Sequence, residues 1–134
     1  MKKIITIFLK SIVTIVLIGL SFLKSYAQGT PLNETTLEST IYQNDKKGIN
    51  PFENILEKHV YTLDKKAASK DVKILIRELK KDQKVVSVLK EGNNIIVLIT
   101  KSEMGDSAYR ITPLFEKLKI SVVGNYVLFY LKNN

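Results

Sequence analysis

The chain has 134 residues, with 21 basic and 13 acidic side chains, a single histidine, no cysteine and a formal net charge of +8. Without cysteine, thiol catalysis, iron–sulfur clusters, disulfides and cysteine-held zinc or copper are excluded, and the length suits one domain. The basicity is no argument for a nucleic-acid partner, because the first 27 residues hold four lysines and no acid, and without them the net charge is +4.

Met1-Lys2-Lys3 opens the chain with positive charge, and an apolar stretch from Ile4 to Leu23 follows, broken only by Lys10. Its uninterrupted part, Ser11 to Leu23, suits an export signal and is short of the roughly 20 residues that span a bilayer. Small residues at Ser25 and Ala27 place a signal-peptidase cut after Ala27. The expected location is therefore outside the cytoplasm, periplasmic or secreted. The alternative is a membrane anchor left uncleaved, with Lys10 reaching out of the apolar layer.

Residues 28–49 are polar around isolated Leu32, Leu37 and Ile41, show no sustained period, and read as a flexible leader. An ordered domain is expected over 50–134. Asn50-Pro51-Phe52-Glu53 has the cap, proline and acid of a helix start, and Phe52, Ile55, Leu56 and His59 share one helical face. On that reading Glu53 and Glu57 lie on a solvated face, and His59 is a packing or capping residue. A strand begins near Val60. Ser69 is the expected N-cap of a helix over 70–83, with Val72, Leu75, Ile76 and Leu79 as its buried stripe.

Two β-rich runs, Val85 to Leu89 and Ile95 to Thr100, flank Gly92-Asn93, a hairpin signal. Ile111, Leu114, Phe115 and Leu118 mark a last helix, starting at Thr112-Pro113 or earlier near Ser107. Ile120 to Leu131 is the final strand, bulged near Gly124-Asn125. The order from Val60 is β-α-β-β-α-β. The expected class is therefore α+β, a ferredoxin-like antiparallel sheet with both helices on one face.

From Val60 to Leu131 this layout resembles the heavy-metal-associated domains. That family holds its metal through Cys-x-x-Cys after the first strand, where this chain has Asp64-Lys65-Lys66-Ala67-Ala68-Ser69. The loop offers no soft ligand, so the resemblance implies the fold without the metal function.

The chemistry-bearing residues are few. His59 has no second histidine or cysteine to work with. Gly105-Asp106-Ser107 resembles the start of some lipase-like esterases but lacks their downstream Asp-x-x-His, and reads as a helix cap. No catalytic residue, metal site or cofactor is expected. Lys73, Arg77, Lys80, Lys81 and Lys84, joined by Lys66 and Lys70, gather in a helical sector about 100° wide. This is either a solvated face or a stripe for weak contact with anionic envelope surfaces. Tyr126, Leu128 and Tyr130 alternate with Val127, Phe129 and Leu131, so both sheet faces look buried. The expected cover is the Phe52–Leu56 segment, a second copy of the chain or another protein. The reading is a small exported, non-catalytic binding module. Its rivals are a metal-handling domain that has lost its ligands, and a hydrolase or enzyme subunit with an unrecognised site.

Overall fold

A computed structural model describes residues 29–133, and a compact unit spans Thr30–Lys132. The signal peptide expected over 1–27 lies outside the described residues.

The unit is α+β, a five-stranded antiparallel sheet with three helices. The elements run β1 (Thr30–Leu32), α1 (Glu34–Lys46), β2 (Ile55–Leu63), α2 (Ser69–Leu79), β3 (Val85–Glu91), β4 (Asn94–Thr100), α3 (Ala108–Lys117) and β5 (Val122–Leu131). Across the sheet the order is β1-β5-β2-β4-β3.

Two segments differ from the sequence reading. The polar stretch after residue 28 carries a short strand and a helix. Asn33 caps α1, its side chain accepting from the Thr36 amide at 2.9 Å. The helix buries none of its residues, which is why it leaves no apolar periodicity to read. The helix expected from Asn50 is a turn over 51–54 followed by β2. Ile55, Glu57, His59, Tyr61 and Leu63 share one face of that strand at period 2, and this pattern prevails over the helical spacing of Phe52, Ile55, Leu56 and His59. The Phe52–Leu56 segment therefore does not cover the sheet, because Leu56 is part of it, opposite Tyr130.

Elsewhere the differences are at element ends. Ala68, not Ser69, occupies the N-cap of α2, and the helix stops at Leu79. There Asp82 turns the chain by accepting the Lys84 amide, and its carboxylate takes a two-pronged bond from Arg110 at 3.0 Å. The hairpin turns on Gly92 at φ +58°, a left-handed conformation that glycine adopts freely. Helix α3 begins at Ala108 and carries Pro113 inside it. It ends in a Schellman pattern, with Ile120 N–H on the Phe115 carbonyl and Lys119 at φ 54° where glycine is usual. The bulge falls between Thr62 and Leu63, opposite Val122–Gly124.

The core lies on one face of the sheet. Tyr61, Leu63, Val88, Ile95 and Val97 meet Val72, Leu75 and Leu79 of α2 and Ile111 and Phe115 of α3. On the opposite face Leu56, Val60, Ile96 and Leu98 are buried, while Tyr126 and Leu128 on β5 are 55% and 41% exposed.

Candidate functional site

Within the apolar face of β2 stand two polar residues, Glu57 and His59, 0% and 1% exposed. Register places them opposite Ile99 and Val97 of β4 and Phe129 and Val127 of β5. Burying a carboxylate in such surroundings demands compensation. Three donors supply it. His59 Nε2 and Lys101 Nζ each lie 2.8 Å from a Glu57 oxygen, and the Ser107 amide donates at 2.7 Å. The Lys101 ammonium also bonds the Gly105 carbonyl and sits 5.5 Å and 5.4 Å from the ring centres of Phe52 and Phe129. Three stretches remote in sequence are thereby tied together: residues 52–59, residues 101–107 and Phe129 of β5.

The electrostatics follow from this geometry. Burial alone would raise the Glu57 pKa, but donation from His59, Lys101 and the Ser107 amide outweighs it and holds the carboxyl down at about 2. At neutral pH it is an anion whose two oxygens accept from all three donors. Because Glu57 can only accept, His59 Nε2 is the donor, and its Nδ1 is left without a hydrogen bond. The Tyr61 ring stacks near-parallel to His59, with centroids 6.1 Å apart. Burial, opposed in part by neighbouring Thr112, pushes the Tyr61 phenol up to about 12, and its hydroxyl makes no hydrogen bond of good geometry. The cluster joins β2 to the loop after β4 and the entry to α3. Among the described residues no three His, Cys, Asp or Glu side chains converge as a metal would require.

Sequence reasoning missed this cluster, placing Glu57 on a solvated helix and His59 at a helix end. The signal that could have found it is the period of 2 from Ile55 to Leu63, which puts both on the Tyr61 side. Ser107 stands at the start of α3 as expected, although the capping acceptor is Asp106 Oδ1, which takes the Ala108 amide at 3.0 Å.

The lysine sector is dispersed. Because α2 ends at Leu79, only Lys70, Lys73 and Arg77 share its outer face. Lys80 sits at the C-cap, Lys81 pairs with Glu78 at 2.8 Å, and Lys84 bonds the Ser102 hydroxyl. Lys66 lies before the helix, in the turn made by Asp64. Tyr126, Leu128 and Tyr130 do share one face, opposite Val60, Lys58 and Leu56.

A groove of about 530 Å³ opens between α1, the end of β5 and the 101–107 loop. Helix α1 is fixed at both ends, by its seam with β1 and by Asn44 Nδ2 on the Pro51 carbonyl at 3.1 Å. The helix face toward the groove carries Glu34, Leu37, Glu38 and Ile41. Across from it are Met104, Asp106, Val127 and Phe129, with Lys101 at the floor, already neutralised by Glu57. The walls are largely apolar, and among the described residues Glu34, Glu38 and Asp106 line the groove with no ion pair.

No family model, curated protein or solved structure matches the chain.

Proposed function

We propose that this chain is a small exported, non-catalytic binding module whose groove beside α1 takes an apolar segment bearing positive charge. The observation that carries the reading is the groove itself. Two rows of apolar side chains, Leu37 and Ile41 on one wall and Val127 and Phe129 on the other, are rimmed by Glu34, Glu38 and Asp106. An amphipathic basic helix or strand suits such a surface, apolar anchors in the groove and cations on the rim. The commitment of Glu57 and Lys101 to each other argues against catalysis at this buried polar cluster.

The scaffold we infer is ferredoxin-like. The succession β2-α2-β3-β4-α3-β5 and the inner sheet order β5-β2-β4-β3 support it, with β1 added outside β5. Export rests on the first 27 residues, and none of the described helices is long and apolar enough to cross a membrane.

The test uses a fluorescein-labelled peptide with leucine and lysine at helical spacing, titrated with the protein from an exporting host. A saturable, salt-sensitive rise in anisotropy is expected. Glu34→Lys with Glu38→Lys, or Ile41→Asp alone, should weaken it at least tenfold. Equal binding by wild type and both variants refutes the groove as the site.

A further inference from the structure

Strand β5 has ten residues, yet its outer neighbour β1 pairs with only three, Phe129 to Leu131. Among the described residues no strand covers the outer edge of residues 122–128. The ladder fixes which backbone groups face outward. Lys132 N–H bonds the Asn54 carbonyl, while Lys101 N–H takes the Ile55 carbonyl on the other side of β2. Alternation along the ladder then turns Tyr126 and Leu128 toward β2 and turns Asn125 and Val127 outward, their N–H and C=O groups paired with no strand among the described residues.

An uncovered strand of this length is a template for another. The opposite edge of the sheet, β3, is defended by Lys90 and Glu91, charges of the kind that blunt edges. The outer edge of β5 has no charge from Val122 to Leu131 and no proline. Its side chains are displayed as well: Val123 is 63% exposed and Tyr126 55%.

We propose that β5 pairs antiparallel with β5 of a second copy of this chain, about a two-fold axis at Asn125. In that register Asn125 faces its own counterpart, Gly124 faces Tyr126 and Val123 faces Val127. The segment Val123–Val127 is also what a second β5 can reach without displacing β1, which ends opposite Phe129. The chemistry is self-complementary. Nothing lies within 4 Å of where a side chain on Gly124 would begin, so the glycine leaves bare backbone for the tyrosine ring to cover. Valine meets valine, no like charges are opposed, and the outward groups of Asn125 find partners in each other. Two five-stranded sheets become one of ten strands. The proposal does not depend on the groove beside α1, which lies on the helix side.

The absence of cysteine supplies a clean test. At a hydrogen-bonded antiparallel pair Cα atoms lie about 5.5 Å apart, within disulfide reach of about 4.4–6.8 Å. Asn125→Cys, as the only thiol, should give a covalent dimer under mild oxidation in the protein from an exporting host, whereas Val86→Cys on β3 should not. Sedimentation should show a concentration-dependent dimer for the wild type. Asn125→Pro removes an outward N–H that serves no internal bond, so it should return a monomer with unchanged circular dichroism. Tyr126→Lys should do the same through charge. A wild type that stays monomeric to about 0.1 mM overturns the proposal. So does a dimer that persists in both edge variants or cross-links through Val86→Cys.

Discussion

Replacing Lys101 with methionine tests the buried cluster directly. Methionine keeps the bulk between Phe52 and Phe129 and removes the ammonium, leaving a carboxylate 0% exposed without its countercharge. Breaking a buried ion pair by removing one partner costs about 3–5 kcal/mol, a large share of the ~5–15 kcal/mol that stabilises a domain. The sign of the pH dependence follows from Glu57. Its pKa is depressed in the folded state from 4.5 to about 2, so the stability it contributes is present above pH 4.5 and lost as pH falls through about 2. That contribution is on the order of 3 kcal/mol. Urea denaturation of wild type and Lys101→Met from pH 7 to pH 2 should show a wide gap at neutrality that closes across the acid range. Adding Glu57→Gln to Lys101→Met should recover part of the loss, because the stranded charge is then gone. A gap under about 1 kcal/mol at pH 7, or one that does not narrow with acid, would refute the reading of the cluster as a charge-compensated tie.

Two further outcomes concern residues picked out in the sequence. Tyr130→Asp should lower the stability by about 2–3 kcal/mol in urea denaturation, because it sets an unpaired charge opposite buried Leu56; Tyr130→Phe should be close to neutral, and an equal loss for both would assign the effect to shape. The outer face of α2 should give weak retention on anionic vesicles at low ionic strength, abolished by Lys70→Gln, Lys73→Gln and Arg77→Gln together and suppressed by physiological salt, where the Debye length is about 8 Å. If the wild type is not retained, those side chains are simply solvated.

The elements with strong periodic signals were legible in the sequence. The stripe Val72, Leu75, Ile76, Leu79, the Gly92-Asn93 hairpin and the helix through Ile111 and Phe115 all stand where spacing put them, because burial imposes the pattern. Helix α1 was illegible for the converse reason, since it buries nothing. The cluster was obscured by an overlap of periods: Phe52, Ile55, Leu56 and His59 fit a helix as well as Ile55 to Leu63 fits a strand. The partner that settles the matter, Lys101, lies 44 residues from Glu57. Lys80, Lys81 and Lys84 fall outside the basic stripe because the helix stops at Leu79.

The pairing of Thr30 with Leu131 has a kinetic meaning. Strand β1 finds its only partner at the far end of the described chain, and β5 lies between β1 and β2, which are both earlier in sequence. No complete sheet can assemble from the first hundred residues, whereas the β3–β4 hairpin and α2 use neighbours and can form early. Closing such long loops before any contact rewards them makes folding slow. Until β5 docks, Leu56 and Val60 of β2 lack their neighbours Tyr130 and Tyr126 on one flank. Strand β1 has no place in the sheet until residues 122–131 arrive, so β5 docks on β2 first and β1 closes over its end afterwards.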